Sequence, residues 1–174
     1  MTMPTPHFKR LIEDYILEAL NDVPDLHRVK TFVRGVLPDI ALPQESYPLC
    51  ECYIYREIAE SELTGNLYHV QYAGSLVFAV LLTLHNDADF VQRHGGRITH
   101  VPSYDTADEL VRAAVLELQR CTQRDLGALA DDNEHVLLFS IGPEIAYGLA
   151  EADRANNWSL TATVGFTVET EREV

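Results

Sequence analysis

The sequence predicts an α+β fold, a mainly antiparallel sheet of about five strands with two amphipathic helices packed on one face. Three observations predict it. Two segments place apolar residues at helical spacing, and several others place them at every second position. Strands also arrive in succession between the two helical segments, so hairpin pairings should dominate.

The first helix is read from Phe8, Leu11, Ile12, Tyr15, Ile16, Ala19, Leu20 and Val23, which fall on one face. Lys9, Arg10, Glu13, Asp14 and Glu18 take the other face, and Pro24 ends the helix. Residues 27–36 then alternate, with Val29, Thr31 and Val33 opposite Lys30, Phe32 and Arg34. Residues 39–46, with Pro38 and Pro43 at the edges, read as an irregular connection. The second strand covers 49–58, with Cys50, Cys52, Ile54 and Arg56 on one side and Leu49, Glu51, Tyr53 and Tyr55 on the other. Gly65-Asn66 closes a turn over 60–66. Residues 68–84 form the longest strand, apolar on both sides toward its end, as a central strand should be.

Residues 85–103 read as a long polar loop around Gly95-Gly96. The second helix covers 105–121 on the stripe Ala107, Leu110, Val111, Ala114, Val115 and Leu118, with Ser103 as its N-cap. A fourth strand, 135–141, is expected to stop at Gly142-Pro143. The last strand runs from Trp158 to Val168. It sets Trp158, Leu160, Ala162, Val164, Phe166 and Val168 against Ser159, Thr161, Thr163, Gly165 and Thr167. Residues 169–174 read as a charged tail. No linker or internal repeat divides the 174 residues, so one domain is expected over 1–174.

Charge narrows the partners. The chain carries 13 Lys and Arg against 27 Asp and Glu, a net charge of −14. Its only lysines are Lys9 and Lys30, so a phosphate-gripping basic patch is not expected, nor an affinity for anionic membrane. The excess is uneven: −9 from Asp105 onward and −5 before it. Cys50, Cys52 and Cys121 make an odd set without a secretory signal at residues 1–6, which predicts reduced thiols in a cytoplasm. Cys50-Glu51-Cys52 has no second ligand pair at zinc spacing.

Chemistry-bearing motifs are missing. Gly95-Gly96 lacks the lysine and hydroxyl of a phosphate loop, and no Gly-x-Ser-x-Gly elbow occurs. His85, Asp87, Asp89, His94 and His100 supply metal-ligand chemistry on one loop, but at no established ligand spacing. No cofactor, metal site or catalytic residue is therefore expected, and the chain is expected not to be an enzyme. Tyr47, Tyr53, Tyr55, Tyr68 and Tyr72 cluster on sheet segments, where tyrosine serves either sheet packing or a subunit interface. Tyr53, Tyr55, His94, Arg97, Tyr104 and Trp158 are the expected oligomer or partner interface residues.

The pattern resembles a family. The segment Phe8-Lys9-Arg10-Leu11-Ile12 through Leu17-Glu18-Ala19-Leu20 leads directly into strands. A long strand precedes Asp108-Glu109-Leu110-Val111, and the chain closes on Asn157-Trp158-Ser159-Leu160-Thr161-Ala162-Thr163-Val164-Gly165-Phe166. In element order this is similar to the tail terminator (minor tail, tail-completion) proteins of long-tailed bacteriophages. The resemblance implies a small α+β structural protein without catalytic residues, working in the virion tail after assembly in the bacterial cytoplasm. It implies a hexameric ring of copies that caps the tail tube, ends its polymerisation and offers a surface for head joining. The implied partners are further copies of itself, the tail-tube protein and head–tail connector proteins, with DNA only as passing cargo and no membrane. The longer connection at 39–47 and the loop at 85–103 depart from shorter members, and leave room for a neighbouring connector or neck protein. Two readings from other classes compete: a small metal-dependent hydrolase or ligand-binding domain using the loop from His85 to His100, and an adaptor that binds partners through an exposed strand.

Overall fold

A computed structural model of the chain describes residues 7–35, 42–64, 66–82, 102–121, 133–151 and 158–173. Helix α1 spans Phe8–Asn21 and helix α2 Pro102–Cys121. The strands are β1 (Thr31–Arg34), β2 (Leu49–Thr64), β3 (Leu67–Leu82), β4 (Glu134–Glu151) and β5 (Trp158–Glu173). They make one mixed sheet in the order β1-β2-β3-β5-β4. β1 runs parallel to β2, and every other pair is antiparallel. The fold is therefore α+β, as the sequence predicts.

Alternation builds the core. Cys50, Cys52 and Ile54 of β2, Leu76 and Phe78 of β3, and Ala162, Val164, Phe166 and Val168 of β5 are buried. They form one cluster with Phe8, Ile12, Ile16 and Leu20 of α1 and with Ala107, Leu110, Val111, Ala114 and Leu118 of α2. Each large aliphatic or aromatic side chain so buried contributes about 1.5–3 kcal/mol. Gly74 sits where Phe166 crosses β3. A Cβ there would collide with the Phe166 ring and stand 2.7 Å from the Tyr53 carbonyl oxygen. Phe166 in turn stacks on Phe139, with ring centroids 5.9 Å apart.

Polar bonds hold α1 to the sheet. Gly35, which follows β1 with a φ of +86°, donates its N–H to the Cys52 carbonyl at 2.9 Å. Beyond that point β2 loses its neighbour among the described residues. The Ile54 N–H there donates to buried Glu13 Oε1 of α1 at 2.9 Å, so a carboxylate takes the place of a strand. The next residue of α1, Asp14, accepts two bonds from Arg34 Nη1, at 2.7 and 2.8 Å.

Several elements differ from expectation. The first strand is four residues long and parallel to β2, so not every neighbour is a hairpin partner. β2 runs on to Thr64 through most of the expected turn. Ile54 pairs with Gly74 and Arg56 with Ala73, which leaves Tyr55 as an extra residue. That bulge moves Arg56 off the side of Cys50, Cys52 and Ile54 and brings Glu57 opposite Tyr72. β4 does not stop at Gly142-Pro143. Ile141 faces Phe166 and Ile145 faces Val164, so residues 142–144 bulge opposite Gly165. β4 is the terminal strand, where a proline without an N–H is tolerated. α2 starts at Pro102, which places Ser103 in its first turn rather than at the N-cap. β5 continues through the expected charged tail to Glu173.

Candidate interaction surface

The alternate sheet positions outside the core line a second side. Glu51 and Tyr53 of β2, Ser75 and Val77 of β3, and Thr161, Thr163 and Thr167 of β5 are half-buried, while Tyr55 and Gly165 are exposed. Leu49, Ala79 and Ser159 are buried at one end of this side. Further along, Tyr55, Ser140, Glu144, Thr163, Gly165 and Thr167 border a shallow depression of about 490 Å³. Small residues cause it. Ser75 and Gly165 pair directly in the middle of the sheet, and the bulges at Tyr55 and at 142–144 raise walls on either side. Tyr53 and Tyr55 lie with ring centroids 6.4 Å apart. The depression offers hydroxyls and one carboxylate.

A second buried acid, besides Glu13, lies elsewhere. Glu134, at the start of β4, accepts the Tyr72 hydroxyl at 2.8 Å and the Thr170 hydroxyl at 2.5 Å through Oε1. Its Oε2 accepts Arg172 Nε at 2.8 Å, and Arg172 Nη2 reaches Tyr72 Oη at 2.6 Å and Glu57 Oε1 at 2.7 Å. Burial first, then the bond to Glu134, pushes the Tyr72 phenol up. Among the described residues no buried side-chain nitrogen or oxygen lacks a partner. The cluster is thus a closed cross-link of β2, β3, β4 and β5, with no aimed, unsatisfied group.

A second cluster joins α2 to β4. Tyr147 donates its hydroxyl to Asp108 Oδ1, and Arg112 Nε donates to both Asp108 oxygens at 2.9 Å. The bond from Arg112, then that from Tyr147, holds the Asp108 carboxyl below its usual range. Burial first, then Asp108, pushes the Tyr147 phenol up to about 12. The Cys50 and Cys52 thiols, both buried, are pushed up chiefly by that burial, the condition of packed rather than reactive cysteines.

The expected interface residues divide. Tyr53 and Tyr55 share the second side of the sheet. Tyr104, 42% exposed, lies in the first turn of α2 with its ring 4.9 Å from that of Tyr147. Trp158, 37% exposed, opens β5 between Leu82 and Glu151, so it does not join the buried row that follows it. His94 and Arg97 lie outside the described residues, as do His85, Asp87, Asp89 and His100 of the candidate metal loop. Among the described residues no group of three or more His, Cys, Asp or Glu is placed to hold a metal ion. None of the described helices is long and apolar enough to cross a membrane.

Sequence reasoning missed Leu137 and Leu138, which are 50% and 54% exposed on the terminal strand. It also missed the partnership of Glu134 with Arg172. Continued alternation of Val168, Thr170 and Arg172 past the expected strand end was the available signal. Compared with known proteins, the chain matches no family model and no curated sequence.

Proposed function

We propose that this chain is a structural subunit of a phage or phage-derived tail, similar to a tail terminator. In this reading copies close into a hexameric ring on the tail tube, stop its growth and present a surface to the head–tail connector. The observation that carries it is the second side of the sheet, where Tyr53, Tyr55, Thr163 and Thr167 stand half-buried or exposed around a shallow depression. Tyrosine and hydroxyl side chains on a rigid sheet suit a protein–protein contact that forms without reshaping either partner. The two polar cross-links support the reading, because they fix the strand positions that such a contact needs. The net charge of −14 supports the role of DNA as cargo, since acidic walls let a polyanion pass without adhering. Virion tail is the matching location.

In this reading a tail-tube gene neighbours that of this chain, and its product supplies the test. Purified tube protein is polymerised with and without the chain, and tube lengths are measured by electron microscopy. Shortened tubes carrying an added ring at one end are the expected result. Tubes that grow to the same length with bare ends would overturn the proposal. Tyr55→Ala should lengthen the tubes again, because Tyr55 is exposed on the contact side and absent from the core.

A further inference from the structure

Two glycines of the sheet stand in opposite situations. Gly74 has no room for a side chain, because the Phe166 ring and the Tyr53 carbonyl fill the place. Gly165, in the middle of β5 and exposed on the second side, has room. Among the described residues a Cβ there would meet only the Gly74 carbonyl oxygen, at 3.9 Å, which is ordinary contact. Its φ is not positive either. A glycine inside a strand weakens it, and marks a place where another backbone comes close. The fold has no use for a bare position at Gly165, so the close approach belongs to a molecule lying on that side.

The surroundings describe that molecule. Gly165 pairs with Ser75, and Ala73 and Val77 of β3 face Thr167 and Thr163 of β5, so the floor is two strands of short side chains. Tyr53 and Tyr55 on β2 and the bulge at 142–144 on β4 stand at its margins. Three strand spacings separate the two margin strands, roughly 14 Å from backbone to backbone, and an α-helix is about 10–12 Å across. A helix laid along this floor meets the carboxylates of Glu51, Glu144 and Glu169 against the one guanidinium of Arg56. We infer that the second side of the sheet binds a basic α-helix of another protein, seated over Gly165 between β2 and β4. The inference rests on the reading of that side as a contact surface and adds the chemistry of its partner. The helix carries a small residue where it crosses Gly165, and Lys or Arg toward the three carboxylates. Like-charge repulsion weighs against an acidic occupant, including a second copy at −14.

Two yeast-displayed libraries test this, one on a helical scaffold and one on a β-hairpin scaffold, each with one randomised face and selected on the full chain. The expected binders are helices whose randomised face is net positive. Gly165→Trp should abolish their binding, by filling the seat. Glu144→Arg, at an exposed position, should weaken it roughly tenfold or more. Glu18→Arg makes the same charge change at an exposed position of α1 and should leave binding unchanged. Selection of hairpins or acidic helices, or no enrichment from either library, would refute the inference. So would helices that bind Gly165→Trp and Glu144→Arg as tightly as the natural chain. The tube assay keeps the two proposals apart. Basic helices selected as expected while tubes reach full length would remove the tail reading alone. Shortened tubes without a selected basic helix would remove this inference alone.

Discussion

Tyr72, Glu134 and Arg172 share a bonding plan with Tyr147, Asp108 and Arg112, but the two trios sit in different surroundings. In each, a phenol and a guanidinium converge on one carboxylate. Glu134 is only 4% exposed and gathers its partners from β3 and β5. Asp108 is 27% exposed, and its arginine, 63% exposed, stands one helical turn away on α2. The contrast separates the bond from its setting. In water a carboxylate deprived of a partner takes a water molecule. Buried, it keeps its full desolvation cost with less to offset it. Sequence distance separates the arginine bonds more than the phenol bonds, since Tyr147 and Asp108 also lie 39 positions apart. Tyr72 and Glu134 lie 62 positions apart and Glu134 and Arg172 38 apart, so the buried trio closes the sheet, whereas Asp108–Arg112 is a local helix pair.

The largest effect should come from removing the buried acid. Glu134→Ala leaves Arg172 and the Tyr72 and Thr170 hydroxyls without their common acceptor, and should cost about 3–5 kcal/mol in urea unfolding. A loss under about 1 kcal/mol would mean that water reaches the site, and the contrast with Asp108 would fall. Tyr72→Phe is a milder probe of the same cluster. It removes one donor from Glu134 and one acceptor from Arg172 while the ring still packs beside Phe8, and should cost about 1–2 kcal/mol. On the exposed side, Tyr147→Phe leaves Asp108 with Arg112 and solvent, and should change stability by less than about 1 kcal/mol. A ranking with Tyr147→Phe above Tyr72→Phe would show that exposure is not the controlling variable.

How much of this was legible in the sequence depends on the range over which each feature is encoded. The stripes of α1 and α2, the shared side of Cys50 and Cys52, and the row from Ala162 to Val168 follow from periodicities of 3.6 and 2. Bulges do not. One inserted residue at Tyr55 reverses the side of Arg56, yet the residues around it read as unbroken alternation. Gly142-Pro143 carries a local stop signal that the sheet overrides, because β4 is terminal and β5 supplies pairing on both sides of the bulge. The end of β5 was obscured by its charge. Glu169 and Glu171 mark a solvent-facing side, but Thr170 and Arg172 between them meet Glu134, a partner that composition nearby does not reveal. For the candidate surface, Tyr53, Tyr55, Tyr104 and Trp158 were legible as aromatic residues left over from the core pattern. Their division was not, since Tyr104 follows α2 to the side on which that helix packs while Tyr53 and Tyr55 stand on the sheet itself.

The smallest expected effect is alkaline and needs no destabilisation to be seen. Tyr147 is pushed from the ordinary 10.0 up to about 12, by burial first and then by its bond to Asp108. The neutral phenol is therefore the form that the fold favours. Its contribution is complete below pH 10, where the unfolded chain is also neutral, and is lost as pH rises from 10 through about 12. Tyrosinate absorbance measured across that range should show a late-ionising group that disappears in Tyr147→Phe. In Asp108→Asn it should move back toward the ordinary value, because the carboxylate charge that opposes ionisation is gone. Tyr72, enclosed by the sheet and bound to Glu134, should persist un-ionised beyond both. If Tyr147 instead ionises at the ordinary 10.0, its bond to Asp108 does not survive in solution, and the two trios would no longer share a bonding plan.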